Sequence, residues 1–128
     1  MFKRETKPSA SQEIKNLIAA GCLFEGNLTI TDGLTRMDGE IKGNIMGNGG
    51  LIVGEQGIIR GNINVKSVVV YGTVEGDISA ESVEIKAKGR MKGNITTSEL
   101  MVERGAIFNG ECKMEVYERK GAEPSENF

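Results

Sequence analysis

The chain has 128 residues, with sixteen Lys and Arg against eighteen Asp and Glu, and eighteen glycines beside two prolines. That length supports one domain with a real core; the balanced charge argues against nucleic acid as the main partner; the glycine content excludes a helical bundle, and the absence of a triplet period excludes collagen. Histidine is absent and the cysteines are two, Cys22 and Cys112, which removes the usual general base, the Ser-His and Cys-His nucleophile pairs and an ordinary zinc site.

The chain opens with MFKRETKPSA, polar after Phe2 and without the apolar stretch of a secretory signal. No apolar run approaches membrane-spanning length. A cytoplasmic protein with reduced thiols is the expectation. Residues 1–13, basic at Lys3, Arg4 and Lys7, are predicted to be a disordered tail. Ile14, Leu17 and Ile18 have helical spacing in a short stretch ending at Gly21, although Ile18 also fits the repeat that follows and would begin its first coil.

One tripeptide then recurs: Gly, then Asn, Asp or Glu, then an apolar residue. It stands at Gly26-Asn27-Leu28, Gly43-Asn44-Ile45, Gly61-Asn62-Ile63, Gly76-Asp77-Ile78, Gly93-Asn94-Ile95 and Gly110-Glu111-Cys112, at steps of 17, 18, 15, 17 and 17 residues. Steps of this size are the mark of a solenoid. Two residues before each glycine comes Phe24, Ile41, Ile59, Val74, Met91 or Phe108, and four before it something small. This period-two alternation predicts strands. Further on in the units come Leu51 and Val53, Val68 and Val70, Val83 and Ile85, Leu100 and Val102. Each unit therefore holds two or three short strands joined by Gly-rich corners. A single unit cannot bury its inward row, but stacked units can, each strand pairing with its equivalent one coil away. The predicted fold is all-β: a single-domain parallel β-helix of about six coils over residues 14–117, a rod of roughly 30 Å at about 4.8 Å per coil. Residues 118–128 are predicted to be a disordered tail.

The Asn27, Asn44, Asn62, Asp77, Asn94 column reads as corner chemistry, with side chains bonding along the axis, rather than as an ion site. A calcium-binding β-helix needs more Gly and Asp per turn. Gly47-Asn48-Gly49-Gly50 lacks the Gly-Lys-Ser or Gly-Lys-Thr ending of a phosphate loop. No cofactor and no metal are expected. Cys22 and Cys112 are both placed on inward positions, in the first and last coils, roughly 24 Å apart and beyond disulfide reach.

Glu25, Lys42, Arg60, Glu75, Lys92 and Asn109 face outward, so that stacking sets Glu25 beside Lys42, and Glu75 beside Arg60 and Lys92. Lys86, Lys88, Arg90 and Lys92 form a basic stripe along one coil, read as a solvated face or a dock for an acidic partner. A second outward column, Ile52, Val69, Glu84 and Met101, is mostly apolar. Either the segment holding Ile14 and Leu17 covers it, or it is a lateral contact surface.

The ends of such a rod have unpaired backbone and normally need a cap or a charged guard. Here no capping helix follows the last coil. Phe108, Cys112 and Met114 stand on its inward positions, Val116 continues the alternation, and Ile107 lies outside Phe108. The first coil offers Leu23 and Phe24 in the same registers. Stacking a further molecule on each end satisfies both, and the predicted activity is self-assembly without nucleotide or metal. An enzyme of the hexapeptide-repeat acyltransferase or related carbonic anhydrase kind would need a strict six-residue period and histidines. A passive binding scaffold is the other reading, to be separated by whether the pure protein elongates.

The repeat resembles the bactofilin family of bacterial cytoskeletal proteins. The resemblance is carried by Met37–Ile45, MDGEIKGNI, and by Ser82–Gly110, SVEIKAKGRMKGNITTSELMVERGAIFNG. It implies a right-handed β-helix whose like ends meet in non-polar, nucleotide-independent filaments on the inner face of the cell membrane, helping to set cell shape with envelope or cell-wall proteins as possible partners. It also implies that Phe108 is the central end contact, and that the basic start, Phe2, Lys3 and Arg4, directs the protein to membrane lipid.

Overall fold

The structure, a computed structural model, describes residues 14–115. Phe2, Lys3, Arg4 and Val116, the predicted limit at residue 117 and the predicted tail 118–128 lie outside the described residues. Within them the chain forms a parallel β-solenoid of six coils with no helix. Each coil contributes one strand to each of three six-stranded parallel sheets. Sheet A starts at strand Ile14–Ile18 and ends at Glu99–Val102; sheet B runs from Leu23–Glu25 to Ile107–Asn109; sheet C runs from Leu28–Ile30 to Cys112–Met114.

The first coil thus begins at Ile14, not at Ile18. The helical spacing of Ile14, Leu17 and Ile18 is overridden by pairing: this segment lies in parallel register on Leu34–Met37. A five-residue stretch is too short for a helix to hold alone, whereas an open sheet edge offers it a full row of partners.

Register stacks like residues into columns. In sheet B, Phe24, Ile41, Ile59, Val74, Met91 and Phe108 form the inward row. In sheet C the row is Leu28, Ile45, Ile63, Ile78, Ile95 and Cys112. Members in the middle coils are fully buried, each such Val, Ile or Met contributing about 1.5–3 kcal/mol. The fully buried side chains are aliphatic or methionine apart from Thr35 and Thr97, and both phenylalanines of the described residues stand at the two ends of one column.

Spacing varies where the corners can absorb it. The corner from sheet B to sheet C is always two residues, the repeated Gly and its polar follower. The corner from A to B is four residues, as at Gly54–Gly57 and Lys86–Gly89, or two, as at Asp38-Gly39 and Tyr71-Gly72. The corner from B to C is constant because it is closed by contact. From Gly43 onward, a Cβ on each repeated glycine would fall on the carbonyl oxygen of its equivalent one coil back, and all six glycines have φ between +136° and +154°, where other residues are strained. The polar follower then bonds along the axis. Asn44 Oδ1 accepts from the Asn62 amide at 3.1 Å, Asn62 Oδ1 from Asp77 at 3.1 Å, Asp77 Oδ1 from Asn94 at 3.2 Å, and Asn94 Oδ1 from Glu111 at 3.2 Å. The predicted axial bonding is there, with main-chain amides as its donors.

Candidate functional site

The two ends of the rod carry the candidate site, because there the inward columns run out. At the last coil the inward positions are Leu100, Val102, Phe108, Cys112 and Met114. Phe108 stacks on Met91 in register, is half-buried and packs against the core. Met114 stands over the fully buried Thr97 yet is 56% exposed. An inward residue is exposed only when no further described coil covers it. Cys112 is half-buried against the core, its Sγ 3.5 Å from Met114 Sδ, and burial raises its thiol pKa. Ile107, 44% exposed, flanks Phe108 on the outer face. This end is therefore an open apolar face bounded by three edge strands.

The first coil presents Ile18, Phe24 and Leu28, half-buried, with Leu23 exposed in the column of Ile107. One polar group interrupts this face. Asn16 occupies the sheet A column of Thr35, Leu51, Val68, Val83 and Leu100. Its Nδ2 donates to the buried Thr35 Oγ1 at 3.2 Å. Sequence reasoning missed this pair because it started the coil after Asn16. The two ends consequently differ: one wholly apolar on its inward positions, the other with an amide in the row.

Cys22 was expected inward and is exposed. It stands in the first coil at the corner position of Gly39, Gly57, Gly72, Gly89 and Ala106. With no described coil stacked on its open side it is left exposed, whereas Ala106 at the same position packs against the core. Cys22 and Cys112 are both free thiols.

On the outer faces, register places Glu25 beside Lys42 and Glu75 beside both Arg60 and Lys92. The ion pairs form on Arg60, with Glu40 at 2.6 Å and Glu75 at 3.4 Å; they are exposed and contribute a few tenths of a kcal/mol each. The basic stripe is broken at its start. Lys86 lies 3.4 Å from both Glu84 and Glu103, and the hydrogen bond to Glu84 foremost raises its pKa. Glu103 also accepts from the Ala87 amide at 3.0 Å, and chiefly this bond lowers its pKa.

Ile52, Val69, Glu84 and Met101 do form one outward column, in register. Leu17 and Ile14 do not cover it. Leu17 pairs with Arg36, which pairs with Ile52, so Leu17 extends the column at its far end. Met101 is 56% exposed. Among the described residues no group of His, Cys, Asp and Glu could hold a metal ion, and no helix is long and apolar enough to cross a membrane.

The bactofilin family model, described as polymer-forming cytoskeletal, matches residues 16–113. Bactofilin BacP of Myxococcus xanthus is 36% identical over 108 residues, covering 83% of this chain and 45% of BacP, so the chain spans about half the length of that relative. Bactofilin BacO of the same organism is 29% identical over 119 residues, 92% of this chain and 90% of BacO. A cryo-EM reconstruction of Thermus thermophilus bactofilin double helical filaments matches with a TM-score of 0.71 and 25% identity, over 79% of this chain and 100% of that one.

Proposed function

Since the chain belongs to the bactofilin family of polymer-forming cytoskeletal proteins, we propose that it assembles end to end into a non-polar filament, without nucleotide or metal, as a structural element of the cell and not as an enzyme. The observation that carries this reading is the open last coil, where Met114 on an inward position is more than half exposed. An apolar end with unpaired strand edges is an aggregation hazard unless another copy covers it, and a second copy continues both the core and the sheets. Pure protein is expected to elongate in buffer with chelator and no nucleotide, seen by electron microscopy. Assembly that waits for ATP, GTP or a divalent ion defeats this reading.

The resemblance further supports a cytoplasmic protein at the inner membrane, engaging lipid through Phe2, Lys3 and Arg4 and scaffolding envelope or cell-wall proteins. A few basic residues contribute only about 1 kcal/mol each at an anionic surface, so one copy binds feebly; a filament presents many copies and multiplies the effect. Deleting residues 2–7 is expected to release filaments from anionic liposomes in a sedimentation assay while leaving assembly intact. Full liposome binding by the deleted protein removes the tail's role. The column of Ile52, Val69 and Met101 is assigned to lateral contact between filament strands; the similar Thermus thermophilus bactofilin forms double helical filaments.

A further inference from the structure

Four cations remain on the last two coils after the ion pairs are assigned. Lys88, Arg90, Lys92 and Arg104 are exposed and have no partner among the described residues. The nearest carboxylates are committed elsewhere: Glu103 to Lys86 and the Ala87 amide, and Glu75, which faces Lys92 across the sheet, to Arg60.

The corner that carries Lys88 shows that a lysine is held there against the backbone's preference. Lys86–Gly89 is a β-turn closed by the Gly89 amide on the Lys86 carbonyl at 2.8 Å. Of the equivalent turns, all closed the same way, Ala19–Cys22 and Glu103–Ala106 use glycine at the third position, Gly21 with φ +92° and Gly105 with φ +95°, while Gly54–Gly57 has Gln56 there without a positive φ. Lys88 fills that position with φ +74°, the only non-glycine of positive φ among the described residues. Turns of this type call for glycine there, and such outliers cluster where a side chain has a task.

Arg90 and Lys92 follow on strand Arg90–Lys92, both exposed, with the buried Met91 between them. Their side chains leave the sheet on one side about 6.6 Å apart, the two-residue repeat of a strand. Ile107 lies in register beside Arg90, and a shallow groove runs there, lined by Thr73, Glu75, Arg90, Lys92, Ile107 and Asn109. An extended chain with a carboxylate at every second residue has the same repeat and turns all those carboxylates to one side, toward Arg90 and Lys92.

We infer that the corner and strand bearing Lys88, Arg90 and Lys92, with Arg104 one coil on, form a docking surface for an extended acidic segment of a partner protein whose carboxylates alternate along the chain. The site lies on the outer face and does not rest on the end-to-end assembly. The probe is a fluorescent peptide of alternating glutamate and threonine, added to the full chain at low salt and followed by anisotropy. The control has the same composition with its glutamates in one block. The alternating peptide is expected to bind more tightly than the block, and to bind the Arg90→Glu/Lys92→Glu variant roughly tenfold more weakly, on the scale of a few lost exposed pairs. Lys88→Gly, which suits the turn, is expected to weaken binding while leaving the melting temperature unchanged or higher. Equal affinity for the reversed variant, or for the two peptides, overturns the assignment. So does preferential binding of anionic vesicles or duplex DNA through the same residues.

Discussion

Phe108→Arg protein is expected to stop at the dimer, and so is Phe24→Arg protein, while the double variant stays monomeric. Phe108 and Phe24 sit at opposite ends of one inward column. An arginine at either place puts an unpaired charge into an apolar joint and costs several kcal/mol, and about 3 kcal/mol already raises the dissociation constant over a hundredfold. If like ends meet, each single variant loses one kind of joint and keeps the other. If ends meet head to tail, every joint contains both residues, and either variant alone gives monomers. Light scattering and electron microscopy of the three proteins decide between these outcomes, and long filaments from Phe108→Arg exclude the end contact altogether. Because Phe108 also packs on the core, Met114→Arg serves as a second probe of the same face. Met114 is more than half exposed in the single rod, so that change is expected to leave the fold intact and, like Phe108→Arg, to stop assembly at the dimer.

Gly61→Ala is expected to abolish the cooperative fold. A Cβ on Gly61 would fall on the Gly43 carbonyl oxygen, at a backbone φ of +154° in the third coil of six. The overlap cannot be relieved without parting two coils, since the Gly43 amide itself bonds to the Arg60 carbonyl at 3.0 Å. Backbone strain of this kind costs about 1–3 kcal/mol before the overlap is counted, against a total stability of about 5–15 kcal/mol. Gly105→Ala is the control. Gly105 also has positive φ, at +95°, but an added Cβ there would lie 3.7 Å from Ala87 Cβ, an ordinary contact. Its cost is limited to the left-handed backbone, about 1–2 kcal/mol, a drop in melting temperature of some 4–8 °C. Circular dichroism during thermal unfolding checks both. Equal behaviour of the two variants would mean that the glycine column is not what closes the stack.

The sequence by itself determined the solenoid, the number of coils and nearly every column. The reason is that a stacked coil has one dominant requirement, the same residue class at the same point of each turn, and a repeat writes that requirement six times over. The Gly-Asn tripeptide was legible because its corner is closed by direct contact between coils and tolerates no change of length. Phe24, Phe108, Cys112 and Met114 were placed on their registers for the same reason. Three features needed the tertiary structure. The first strand was read with helical spacing because one short segment carries no period of its own, and only the free edge of Leu34–Met37 made Ile14–Ile18 a strand; Asn16 then fell into an inward row where it was not sought. Cys22 was placed inside by its alignment with the small corner residues, but it stands in the first coil, where no described coil covers the corner, and it is exposed. The basic stripe looked continuous in one dimension. Folding joined Lys86 to Glu103, seventeen residues away, and left Lys88, Arg90 and Lys92 without an ion pair among the described residues, because charge pairing depends on neighbours one coil apart that no local reading of the chain can see.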